Sequence, residues 1–163
     1  MDNPNNTTKS LIVISAIGPE DPKIFGEITH SFIKCGCEIL ESKFCVMGNK
    51  FLLMAMLSGN WDAIAKIETA LTRLGGKLGI QFSAERASNN SDDKKSIPYV
   101  LEVVTVRNSH LIHETVKFFE LQKVDIKELQ CSGFIANQTK TQMLSLQVTV
   151  SVPSSLPISS FRS

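Results

Sequence analysis

The chain repeats itself at a fixed spacing of 87 residues. Val13 is answered by Val100, Ile24 by Leu111, Phe25 by Ile112, Glu27 by Glu114 and Phe32 by Phe119. Glu38, Ile39 and Glu41 are answered in the same way by Asp125, Ile126 and Glu128. An offset held through a strand, a loop, a helix and a second strand points to duplication of one supersecondary unit. In a chain of 163 residues that means two small domains, each with limited capacity to bury its own surface. A duplicated small α+β unit without catalytic groups suits a sensor or interaction module better than an enzyme.

The first copy reads as strand, helix, strand, strand, helix, strand. Ser10 to Ile17 is apolar on both faces, as expected of a buried strand, and Gly18-Pro19-Glu20-Asp21-Pro22 breaks it. Asp21 is placed to cap a helix that has Pro22 at its first position. Ile24, Phe25, Ile28 and Phe32 form the apolar stripe of that helix, and Gly36 follows its end. Glu38 to Val46 alternates like an edge strand, whereas Lys50 to Ser58 is apolar on both faces and central. A second helix is expected to present Trp61, Ile64, Ile67 and Leu71 to the core and to stop at Gly75-Gly76. Leu78, Ile80 and Phe82 then suggest a final alternating strand.

This order predicts an α+β fold of two ferredoxin-like βαββαβ units, with strand order 4-1-3-2 and the helices on one sheet face. The opposite faces of the central strands are expected to be covered by another copy, as in a homodimer. The predicted organisation is a disordered segment over 1–9, a first domain over 10–85, a polar linker over 86–98 and a second domain over 99–163. In the second copy, a strand spans Tyr99 to Val106 and Asn108-Ser109 breaks and caps. Strands at Asp125 to Cys131 and Met143 to Ser151 follow, joined by a polar hairpin. The second copy is expected to lack most of its second helix and its last strand. An open sheet edge and an uncovered apolar strip should result.

Charge and composition remove several function classes. A net charge of +1, with Lys and Arg scattered, leaves no basic stripe for gripping nucleic-acid phosphates. The start of the chain has no apolar signal-peptide core, and the run Phe51 to Leu57 is too short to span a bilayer. A cytoplasmic protein is expected, with Cys35, Cys37, Cys45 and Cys131 as thiols.

The candidate chemistry is sparse. Cys35-Gly36-Cys37 lacks the two further ligands that a metal site needs, and His110-Leu111-Ile112-His113 is not a His-Glu-x-x-His motif. No nucleophile elbow, phosphate-cradling glycine loop or carboxylate pair is present. Phe51-Leu52-Leu53-Met54-Ala55 does not match the stacking strand of an RNA-recognition motif. The loop after the first strand carries Glu20 and Asp21, which do not suit an acylphosphatase, and has no Cys-x-x-Cys for a metallochaperone. No catalytic residue, cofactor or metal is therefore expected. What remains is the strand-to-helix loop of each copy, where backbone amides can hold a carboxylate. Its residues are Gly18, Asp21, Pro22 and Lys23 in the first copy, and Asn108, Ser109 and His110 in the second.

A strand followed by Gly-x-x-x-Pro and an amphipathic helix resembles the ACT domain, a regulatory module that often binds amino acids between copies. Cys35-Gly36-Cys37 with Glu41-Ser42, Met47-Gly48 before Phe51, Leu57-Ser58-Gly59-Asn60-Trp61 and His110-Leu111-Ile112 narrow the likeness. Together they resemble the glycine cleavage system transcriptional repressor family, from Ser10 onward. The resemblance implies a negative regulator that acts through contact with the operon's transcriptional activator protein and not on DNA, with glycine as a natural small amino acid ligand. The alternative is an amino-acid-binding ACT module that regulates a metabolic enzyme. Many ACT loops read Asp-Arg-Pro-Gly, whereas Lys23 here occupies the glycine position, and its ammonium can pair with a carboxylate.

Overall fold

In the computed structural model, residues 8–88 and 96–154 are described, and they fall in two compact units divided after Asn90. Unit 1 runs β1 (Ser10–Pro19), α1 (Pro22–Lys34), β2 (Glu38–Met47), β3 (Lys50–Gly59), α2 (Trp61–Leu78) and β4 (Gln81–Ala87). Unit 2 runs β5 (Ser96–Val106), α3 (Leu111–Leu121), β6 (Asp125–Ile135) and β7 (Gln142–Pro153). The expected segments 1–7, most of the linker (89–95) and the chain after 154 lie outside the described residues.

The unit 1 sheet has the order β2-β3-β1-β4, all antiparallel, as the alternation patterns imply. Its core is one face of β1 and β3 against two helices. Ile12, Ile14 and Ala16 face Leu53, Ala55 and Leu57 from the neighbouring strand, and Ile28, Phe32, Ile64, Ile67 and Leu71 close over them. Completely burying each branched side chain there contributes about 1.5–3 kcal/mol. The other face of β1 is not buried within the unit: Val13 and Ile17 remain 42% and 41% exposed.

Three details of unit 1 differ from the sequence reading. The helix α2 passes through Gly75-Gly76 and ends at Gly79, whose φ of +69° is left-handed and whose amide returns to the Gly75 carbonyl. Gly75 is needed because the returning chain presses on it; a Cβ there would lie 2.8 Å from the Ile80 carbonyl oxygen. Leu78 therefore belongs to the helix, and the last strand starts at Gln81. Trp61 is 74% exposed. It lies about 120° round the helix from the centre of the buried stripe of Ala63, Ile64, Ile67, Ala70, Leu71 and Leu74.

Unit 2 repeats the plan with the order β5-β7-β6, and among the described residues it has one helix and three strands. Phe119 and Val124 pack on Leu146, Val148, Val150 and Val152 of the central strand. The edge strand β5 keeps Ile97, Leu101 and Val103 39–47% exposed on its helix-side face. The strands are longer than expected: β5 begins at Ser96, β6 reaches Ile135 and β7 runs from Gln142 to Pro153.

The burial pattern predicts an asymmetry within one strand. Ile14→Ala should cost about 2–4 kcal/mol, as a buried methylene deletion does. Ile17→Ala should cost less than about 1 kcal/mol. Urea unfolding of the two variants measures the difference.

Candidate functional site

The loop between β1 and α1 is built from short-range polar bonds. Asp21 has extended backbone (φ −147°, ψ 117°), and its carboxylate accepts from the Lys23 amide at 3.0 Å. Pro22 occupies the first helical turn, and the Ile24 amide donates to the Asp21 carbonyl at 3.1 Å. The Glu20 amide donates to the Asn49 carbonyl of the β2–β3 turn at 3.2 Å, which ties the loop to the far hairpin. Gly18, Asp21, Pro22 and Lys23 thus come together at one helix start, all exposed except for the packing at Gly18.

Gly18 has a packing reason of its own. A Cβ at this position would sit 2.7 Å from Phe51 Cε1 and 3.1 Å from Ile80 Cγ1. Phe51 is buried because Phe44 stacks on it at 6.0 Å between ring centroids, and Phe25 of α1 lies 4.4 Å from Phe44. Three phenylalanines from α1, β2 and β3 therefore fill the space beneath the loop. Sequence reading had placed Phe25 and Phe44 on apolar faces, but the cluster depends on cross-strand register.

In unit 2 the corresponding loop is capped differently from expectation. Asn108 accepts from the His110 amide at 2.9 Å through its side-chain oxygen, and its carbonyl accepts from Leu111 at 3.3 Å. The residue at the cap position is His110, in helical backbone with no side-chain cap bond, so Ser109 does not cap the helix. A local Asx turn satisfies the first donors before Ser109 is in reach. Asn108, Ser109 and His110 are together and exposed at the start of α3.

The Cys35-Gly36-Cys37 segment is structural in its contacts. Gly36 takes a φ of +84° just past the α1 end. Cys37 is buried, and its Sγ donates to the Ala63 carbonyl at 3.7 Å. Burial pushes the Cys37 thiol up from its ordinary value, and the neighbouring Cys35 adds to the effect. Among the described residues no group of three His, Cys, Asp or Glu side chains is placed to hold a metal, and no helix is long and apolar enough to cross a membrane.

Two predictions follow from this packing. Gly18→Ala should destabilise by about 1–3 kcal/mol through overpacking. Adding Phe51→Leu should recover part of the loss, a non-additivity that a double-mutant cycle measures. Because the folded Cys37 pKa is raised, its stabilising contribution is complete below the unfolded thiol pKa. It is lost as pH rises through the folded value. Alkaline unfolding should therefore be less pH-dependent in Cys37→Ala, and alkylation under native conditions should mark exposed Cys45 well before Cys37.

Comparison with known proteins bears on the fold and the family. Residues 10–85 match the ACT domain family model. The glycine cleavage system transcriptional repressor of Escherichia coli K12 is 28% identical over 149 residues, covering 91% of this chain and 78% of the relative. A crystal structure of a protein provisionally named as such a repressor superposes with a TM-score of 0.68 at 21% identity. It covers 95% of this chain and 87% of its own. A protein of unknown function from Galdieria sulphuraria gives the same TM-score at 17% identity, covering 89% and 83%. These two structures share the fold across both units. Unit 1 matches the ACT domain, and over 91% of its length the chain is similar to a glycine cleavage system transcriptional repressor.

Proposed function

We propose that this protein represses transcription of the glycine cleavage system by binding the operon's activator protein, in the cytoplasm and without touching DNA. The observation that carries the reading is the likeness to the E. coli repressor over 91% of the chain. Two physical features support it. The near-neutral charge gives no electrostatic footprint for nucleic acid. The helix-free face of unit 1 presents Val13, Ile17 and Met54 at 41–56% exposure, an apolar surface of the kind used in protein contact.

Glycine, or another small amino acid, is the proposed effector, held at the helix starts by Gly18, Asp21, Pro22 and Lys23 in unit 1 or by Asn108, Ser109 and His110 in unit 2. The positive end of a helix dipole favours a carboxylate. The Lys23 ammonium would add a charge-assisted bond.

Pull-down of the purified activator on immobilised protein, with and without glycine, tests the proposal. Specific capture that glycine changes is the expected result. Absence of capture in both conditions contradicts it, and saturable amino acid binding without capture would favour an ACT module serving a metabolic enzyme.

A further inference from the structure

Two motifs that stand out in the sequence, Cys35-Gly36-Cys37 and Leu57-Ser58-Gly59-Asn60-Trp61, meet at the end of unit 1 away from the β1–α1 loop. A Cβ at Gly59 would lie 3.0 Å from Ala63 Cβ, 3.6 Å from Cys37 Sγ and 3.8 Å from the Gly36 carbonyl oxygen. The turn after α1 therefore rests directly on the start of α2. That start is held by Asn60, whose side chain accepts from the Ala63 amide at 2.8 Å. Trp61, the only tryptophan of the chain, follows the cap and is 74% exposed.

The backbone of the turn sets the two cysteines in a defined relation. The Cys37 amide donates to the Phe32 carbonyl at 3.1 Å, and the Gly36 amide to the Ile33 carbonyl at 3.0 Å. With Gly36 at a φ of +84°, these two bonds make a Schellman ending, whose glycine is left-handed. Helical backbone of either hand sets Cα atoms two residues apart at roughly 5.4 Å. Disulfides span Cα atoms about 4.4–6.8 Å apart, so the spacing suits one. The thiols are unequal in access. Cys35 is partly exposed at the helix end, whereas Cys37 is buried with its Sγ on the Ala63 carbonyl at 3.7 Å. Burial favours the neutral Cys37 thiol, so a reagent from solvent meets Cys35 first.

We propose that Cys35 and Cys37 are a reversible redox pair, oxidised to a disulfide by a low-molecular-weight disulfide, and that this change is transmitted to the start of α2 and Trp61. The Cys35 thiolate attacks one sulfur of the small disulfide, whose S–S bond breaks as one thiolate leaves. Cys37 then attacks the Cys35 sulfur, its proton passes to the second departing thiolate, and the Cys35–Cys37 bond forms. Two cysteines are oxidised and one small disulfide is reduced to two thiols. The oxidised Cys37 sulfur has no proton to donate, so its bond to the Ala63 carbonyl is lost, and closing the small ring draws it off Gly59. In a reducing compartment a disulfide of this kind is transient and regulatory. The inference does not rest on the repressor reading, since its test uses the chain alone.

The native chain is incubated with glutathione disulfide and submillimolar glutathione, quenched in acid and digested with trypsin for mass spectrometry. The peptide Cys35–Lys43 should lose two hydrogens, and a dithiol should restore them. The internal disulfide should outnumber the glutathione adduct by at least about tenfold, because the neighbouring thiol acts at a high effective concentration. Trp61 emission should change with the same midpoint. Cys35→Ser should abolish both changes, and Cys37→Ser should trap the glutathione adduct on Cys35. Retention of both thiols, arrest at the adduct, pairing with Cys45 or Cys131 instead, or a disulfide that leaves Trp61 emission unmoved overturns the proposal. If Cys37→Ser does not fold, the unaltered chain and Cys35→Ser decide.

Discussion

Everything in this fold depends on two antiparallel strand pairs, β1 with β3 and β5 with β7, that turn an apolar row toward the helices. Because side chains alternate with a period of two, fixing this register decides at once which residues enter the core and which lie on the open face. It also determines which residues gather beneath each strand-to-helix loop. Gly18 against Phe51 is a consequence of the pairing, and so is Gly133 against Leu144.

Duplication supplies the scaffold twice, but the copies have diverged in what they do with it. Unit 1 has a complete four-stranded sheet and a loop floor filled by three phenylalanine rings. Unit 2, over the described residues, has three strands. Aromatic rings packed this closely contribute beyond their buried area, so the filled floor stabilises unit 1.

Much of this was legible in the sequence, and the reasons are specific. The repeat, the strand order and the Asp21–Pro22 helix start followed from periodicity and capping chemistry, which are local signals. Trp61 and Gly75-Gly76 misled because their roles are set by neighbours: Ala63 takes the inward position in the first turn of α2, and the returning chain presses on Gly75. Ser109 was read as a cap where an Asx turn at Asn108 does the work. Cross-strand register, which no single segment encodes, hid the phenylalanine cluster. The loop residues Gly18 to Lys23 and Asn108 to His110 lie at two helix starts, with Gly18 buried and Asp21, Lys23, Asn108, Ser109 and His110 exposed.

Regulation through a partner protein and not through DNA is the proposal that the likeness to a transcriptional repressor supports. The most direct measurement is reporter output from a glycine cleavage promoter in cells that make this protein, with the activator present or deleted. The account predicts that the protein lowers activated transcription and leaves basal transcription unchanged once the activator is gone. Equal repression in the absence of the activator would contradict it.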